Sequence, residues 1–157
     1  MIDVVDRITR SRMMSGVRGK DTQPELLLRH ALHSVGLRFR LHMAGLPGRP
    51  DIVFPKYKAV IFVHGCFWHR HADCAFATTP ATNVGFWKSK FEQNVLRDAQ
   101  NLDRLRQAGW RAAIVWECAV AKNGPEKLAK RLAAWLRTRR TLLEIPNHGP
   151  QTSARPQ

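Results

Sequence analysis

Val63-His64-Gly65-Cys66-Phe67-Trp68-His69-Arg70-His71-Ala72-Asp73-Cys74 puts three histidines, two cysteines and two large aromatic residues into twelve positions. Such a run reads as a short loop held by its own side chains. A third cysteine, Cys118, closes a later apolar run. Three is an odd number, so the cysteines cannot all pair as intrachain disulfides, and metal ligation becomes the live reading. Cys66, His71, Cys74 and Cys118 make one thiolate-rich set of four for a tetrahedral, closed and therefore structural Zn²⁺ site. The plainer alternative is three small buried hydrophobes with a histidine between them, because the spacing is not that of a standard zinc finger.

The rest of the chain limits what such a loop can belong to. At 157 residues and 44% hydrophobic content the chain is sized for one domain with a core. Lys and Arg number 26 against 12 Asp and Glu, a formal net charge of +14. That surplus attracts polyanions, either nucleic acid or an anionic membrane surface. The longest apolar run, Ala59 to Val63, is far short of the roughly 18 residues of a spanning helix, and the N-terminal "MIDVVDRITR" lacks a signal-peptide core. A soluble, intracellular protein is the expectation.

Periodicity and punctuation outline a mixed α/β fold. Residues 1–21, with Arg7, Arg10, Arg12, Arg18 and Lys20, read as a basic arm. Thr22 as cap, Pro24 in the first turn, Glu25 three residues past the cap and Gly36 as the stop predict a helix over 23–35. Strands are expected at 37–41, 51–54 and 59–63. Apolar residues at 87, 91, 95, 102 and 105 predict a long amphipathic helix ending at Gly109, followed by the strand "WRAAIVWE" and a helix from Pro125 to about Arg137. The domain is expected to span 22–140, with 141–157 a disordered tail. Helix, strands, helix, strand, helix suggests a mixed central sheet flanked by helices.

If a metal takes His71, then His64 and His69 remain for other work. An antiparallel pairing across 51–64 would bring the Asp51 carboxylate and the His64 imidazole to one end of the sheet. Each also has an ordinary reading, Asp51 as a turn residue after Gly-Arg-Pro and His64 as a strand-end histidine bonded to a carbonyl. Asp98 falls seven residues after Phe91 and four before Leu102, in line with the buried stripe, where a charge needs a partner. Glu25 shares the spacing of Leu28, Leu32 and Val35, although it also suits the acidic half of a capping box with Thr22. Buried acids beside histidines are a source of general acid and base chemistry. Phe67 and Trp68, between two presumed zinc ligands, could stack or wedge between bases, or cover the underside of the loop; Trp87 could be a third wedge or simply core.

"GRPDIVF", "VIFVHGCFWH", "PATNVGFW", "NVLRD" and "GWRAAIVWEC", in this order over about residues 8–120, resemble the Vsr endonucleases, the nicking enzymes of very short patch DNA repair. That resemblance implies a restriction-endonuclease-like core that recognises a T:G mismatch left by deamination of 5-methylcytosine and cuts 5′ to the mismatched thymine, with Mg²⁺ serving the cut. It assigns Asp51 and the Val63 carbonyl to magnesium, His64 to the surroundings of the metal waters and leaving group, and His69 to activation of the attacking water. Asp98 would orient His69, and Glu25 would support the metal-water network. Phe67, Trp68 and Trp87 map to the wedge aromatics, and Cys66, His71, Cys74 and Cys118 to zinc. The implied partners are mismatched duplex DNA, embraced by the basic arm, and mismatch-repair proteins of the MutL type, with the enzyme a bacterial, cytoplasmic, nucleoid-associated monomer.

Three features depart from the pattern. Val63 stands where the family commonly has Thr, keeping the carbonyl and losing a hydroxyl. The zinc loop is longer by one residue, around Ala72-Asp73. Phe62-Val63-His64 occupies the place where relatives of the fold carry an acidic-x-Lys triplet, so histidine replaces lysine. Two other readings stay open: a zinc-stabilised DNA-binding module that does not cut, which leaves Asp51, His64, His69 and Asp98 idle, and a related nuclease with a different mismatch or sequence context.

Overall fold

The computed structural model describes residues 20–146. The first helix, α1 (Gln23–Ser34), starts with Pro24 in its first turn and stops at Gly36, whose φ of 89° lets the Leu37 N–H reach back to the Leu32 carbonyl at 3.1 Å. The expected capping box takes a different form. Thr22 makes no side-chain cap bond, and Glu25 Oε2 accepts the N–H of Asp21, at 2.9 Å, one residue further out.

Five strands follow: β1 (Arg40–Leu41), β2 (Ile52–Phe54), β3 (Ala59–His64), β4 (Arg111–Trp116) and β5 (Leu142–Ile145). They lie side by side in chain order, with β1–β2 and β2–β3 antiparallel and β3–β4 and β4–β5 parallel. The expected mixed sheet is present. The strand expected over 37–41 is only two residues long, because Leu37 and Phe39 pack against the core while His42, at φ 46°, turns the chain away.

β3 is apolar at consecutive positions because both of its faces are covered. Ala59 and Ile61 share one core with Leu28 and Leu32 of α1 and with Leu128, Leu132 and Trp135 of α4 (Pro125–Leu136). Val60 and Phe62 face Leu105 of the long helix α2 (Val84–Gln107). A strand alternates with period two, so His64 emerges on the Val60 and Phe62 side, under α2.

Two expectations change here. The inward line of α2 runs through Trp87, Phe91, Asn94, Asp98, Leu102 and Leu105, whereas Val95 is 47% exposed. The apolar stripe is thus interrupted by two polar residues where the helix crosses the end of β3. Residues 142–145, expected to be disordered, form β5, because Leu142–Ile145 finds a free parallel edge on β4 and Ile145 is wholly buried in the main core. The basic arm, residues 1–21, falls outside the described residues except for Lys20 and Asp21.

Replacing Ile145 with Ala should therefore cost about 2–5 kcal/mol, the range for truncating a buried aliphatic side chain. A shift in the urea midpoint at unchanged slope would show it; a change below about 0.5 kcal/mol would put this strand outside the cooperative fold.

Candidate active site

A cleft of about 130 Å³ opens where β3 ends beneath α2, and Asp51, Val63, His64, His69 and Asp98 line it. His64 is fixed by the strand. Its ring is buried, lies edge-on to Trp116 with centroids 5.2 Å apart, and stacks flat on His69 at 3.8 Å and 5°. Burial, with the neighbouring His69 adding to it and Asp98 opposing, draws the His64 pKa down to about 3, so this imidazole is neutral near pH 7.

His69 sits on the loop after β3, whose turn is closed by its own N–H on the Gly65 carbonyl at 3.1 Å. Its Nδ1 lies 2.6 Å from Asp98 Oδ2. A carboxylate there accepts an Nδ1–H and leaves the Nε2 lone pair for a proton. Asn94, one turn before Asp98, donates to the Trp68 carbonyl at 3.2 Å and so ties the loop to the same helix.

Asp51 enters from the other side. The antiparallel register sets Ile52 opposite Ile61, and the Val63 N–H donates to Asp51 Oδ2 at 2.7 Å. Burial raises the Asp51 pKa to about 6, with the Val63 N–H pulling against it and Glu25 adding to the rise. This carboxylate is costly to ionise unless a cation stands beside it. Glu25, 1% exposed, stands behind Asp51 and does not line the cleft. Arg29 Nη2 holds Glu25 Oε1 at 2.6 Å and also bonds Asp21, while His42 approaches Glu25 Oε1 with Nε2 at 2.9 Å and Asp51 Oδ1 with Nδ1 at 4.0 Å. His42 is thus the link between Glu25 and the cleft.

The structure gathers Cys66, His71, Cys74 and Cys118 beside this cleft, their ligand atoms all within 4.8 Å of one another. Cys118 lies in the first turn of the short helix α3 (Glu117–Asn123) rather than at the end of a strand, since β4 stops at Trp116. His71 Nδ1 is 3.6 Å from Cys66 Sγ and 3.4 Å from Cys118 Sγ. Ligands about 2.0–2.3 Å from a tetrahedral ion stand about 3.4–3.8 Å apart, so the set has the right size for one metal ion. Burial pushes the Cys66 and Cys118 thiols up. For Cys74 burial acts in the same direction but is outweighed by hydrogen bonds, the Phe76 N–H foremost, and its thiol is lowered.

Trp116 joins the two sites. One side of its ring stacks on His71 at 4.3 Å and 12°, its edge contact is His64, and its Nε1 donates to Glu144 Oε1 of β5 at 2.8 Å. Phe67, Trp68, Trp87 and Phe91 form one cluster at the cleft's side, Phe67 lying 5.1–5.7 Å from the other three rings. Phe67 and Trp68 are half-buried, and Trp87 is 5% exposed. Asn94, Trp116, Glu144 and His42 carry no signal in isolation. Asn94 alone was accessible from sequence, as the inward position one turn before Asp98.

The model of the family described as DNA mismatch endonuclease Vsr matches residues 2–75. The DNA mismatch endonuclease Vsr of Escherichia coli (strain K12) is 46% identical over 139 residues, 87% of this chain and 88% of that protein. The type II nicking enzyme V.XorIIP of Xanthomonas oryzae pv. oryzae is 45% identical over 77% of this chain and 90% of its own length. V.NmeAIP of Neisseria meningitidis, another type II nicking enzyme, is 40% identical over 75% and 84%. The mixed sheet flanked by helices carries a histidine–carboxylate cleft, and the similarity to these relatives defines the class as endonuclease. The chain belongs to the Vsr family.

The Asp51 environment makes a stability prediction. With a folded pKa of about 6 against 3.8 for an ordinary Asp, the folded state holds more protons than the unfolded one between those values. Ionisation therefore costs stability increasingly as pH rises from 4 to 6. Without added divalent ions, Asp51→Asn should be more stable than the parent at pH 7.5 by about 1–3 kcal/mol, with the gap closing near pH 4. Urea unfolding at both pH values checks it; a destabilised variant at pH 7.5 would contradict the assigned environment.

Proposed function

We propose that this chain is a strand-specific DNA endonuclease that nicks duplex DNA 5′ to the thymine of a T:G mismatch arising from 5-methylcytosine deamination, in very short patch repair. The observation that carries the reading is the His69–Asp98 pair, stacked on a neutral His64 and facing the buried carboxylate of Asp51. Similarity to a mismatch endonuclease and to nicking enzymes supports the substrate class. A binding module that does not cut has no use for this arrangement.

His69 Nε2 takes a proton from the attacking water while Asp98 stabilises the imidazolium that forms. The water oxygen forms the new P–O bond, and the sugar oxygen leaves with the bonding pair and is protonated from solvent, with the uncharged His64 beside it. Asp51 and the Val63 carbonyl are suited to hold Mg²⁺, which would polarise the phosphate and stabilise the leaving oxygen. The buried, hard-to-ionise Asp51 carboxylate fits a cation ligand. Glu25 supports this arrangement from behind, through His42.

The four-ligand set fits structural Zn²⁺, the core takes the restriction-endonuclease-like form, and Phe67 and Trp68, with Trp87 buttressing them, open the stack beside the mismatch. The basic arm embraces the duplex through its phosphates. The protein acts as a cytoplasmic, nucleoid-associated monomer, with mismatch-repair proteins of the MutL type as partners. Among the described residues no helix is long and apolar enough to cross a membrane.

Mg²⁺ should support a single nick on a T:G duplex, lost in EDTA, with His69→Ala slower by at least about 100-fold. Equal cutting of the matched T:A duplex would remove the mismatch reading. One zinc per chain is expected, and Cys118→Ser should lose it together with several degrees of melting temperature. Stoichiometric zinc and an unchanged melting temperature in that variant would take Cys118 out of the site.

A further inference from the structure

Arg49 lines the cleft and has no part in the scheme above. It sits in the turn Leu46 to Asp51, closed by its own N–H on the Leu46 carbonyl at 3.2 Å. Its φ is 46°, and it follows Gly48 at 77°; of the non-glycine residues lining the cleft it alone is left-handed. Arginine gains nothing from that conformation locally, whereas Gly or Asn would adopt it easily. The turn is also pressed in place. A Cβ on Gly48 would come within 3.1 Å of the Asn101 side chain on α2 and of the Phe62 ring. An unfavourable backbone held by close packing beside a reactive cleft points to a side chain wanted at that spot.

The guanidinium is unspent. Among the described residues Arg49 makes no hydrogen bond or ion pair, although Asp51 and Asp98 line the same cleft. It is also the one Lys or Arg of the lining, which is otherwise carboxylate, imidazole, amide and apolar.

We propose that Arg49 is a catalytic residue of the endonuclease, its guanidinium binding the non-bridging oxygens of the phosphate to be cut. This rests on the endonuclease reading and deepens it. A planar two-pronged donor matches two oxygens on one phosphorus, and the attraction grows as those oxygens gain charge in the five-coordinate transition state. Arg49 acts by attraction and hydrogen bonding alone, so no proton or electron pair passes through it. A mere backbone contact would instead bind ground state and transition state alike, weakening affinity without slowing the bound complex.

Full-length parent, Arg49→Gly, Arg49→Asn and Arg49→Lys separate these roles on one T:G duplex. The readouts are the single-turnover nicking rate at saturating protein with Mg²⁺, duplex affinity by fluorescence anisotropy without Mg²⁺, and melting temperature. Arg49→Gly should melt at or above the parent because Gly relaxes the left-handed turn. Its affinity should stay within about 3-fold while its saturated rate falls about 10²–10³-fold, the loss typical of one preorganised transition-state donor. Arg49→Asn should behave alike, and Arg49→Lys should recover part of the rate with a point charge. Saturated rates within about 3-fold of the parent for the Gly and Asn variants, or a loss confined to affinity, would overturn the assignment while leaving the endonuclease reading intact. A parent that does not nick would overturn both.

Discussion

The parallel pairing of β3 with β4 is the constraint on which the site depends. Its register sets Val63 beside Val115 and His64 beside Trp116, so both strands end at the same level. The chain leaves β3 through Gly65 and Cys66 and leaves β4 directly into α3, whose first turn carries Cys118. Two cysteines 52 residues apart in sequence meet because two adjacent strands stop together. Glu117, next to Cys118, accepts the Cys66 N–H at 2.9 Å and closes the same junction with a hydrogen bond. A metal bound there would weld the loop that carries His69 to the sheet that carries His64, and Trp116 already spans the two with His71 on its face and His64 at its edge.

The cleft is assembled from groups that the fold makes uncomfortable. His64 would rather be hydrated and charged in acid: its depressed pKa means that stability is lost as pH falls from 6.5 toward 3. Asp51 has the opposite sign and costs more as pH rises from 3.8 to about 6. The two titrations oppose each other over nearly the same window, so pairing them at one strand end flattens the pH dependence of the fold while leaving each group primed. The Val63 N–H offsets part of the Asp51 cost and Asp98 part of the His64 cost; the remainder is the kind that a cation beside Asp51 and a phosphate beside His64 would relieve. Arg29 shows the contrary case, a charge satisfied by Asp21 and Glu25 at the back of the site, away from the reacting groups.

Much of this was legible in the chain, for identifiable reasons. The α1 boundaries follow from Pro24 and Gly36, which act locally, and the β3 core from an apolar run that only a doubly covered strand tolerates. Asp98 was readable as a charge on an apolar stripe, and the gathering of Cys66, His71, Cys74 and Cys118 from the odd cysteine count. The errors have a common origin. Val95 was placed inward because apolar residues were taken to mark the buried line, whereas the true line passes through Asn94 and Asp98, polar because the site lies beneath them. Residues 142–145 were read as tail because prolines and polar residues surround a short apolar stretch; the vacant edge of β4 was the deciding partner, and edge pairing has no local signature.

By itself, then, the sequence determined most of the elements, the donor types and the family, since turn chemistry, periodicity and a motif such as "HGCFWH" are properties of neighbours along the chain. Only the tertiary structure decided which donors share a space. It stacked His64 on His69, set Asp98 against the Nδ1 of His69, turned Asp51 onto the Val63 N–H, held Glu25 behind His42, and brought Glu144 of the last strand to the Trp116 indole. These relations depend on strand register and on the angle at which α2 crosses the sheet. Register and crossing are settled by packing among residues tens of positions apart, which is why no stretch of the chain, read alone, contains them.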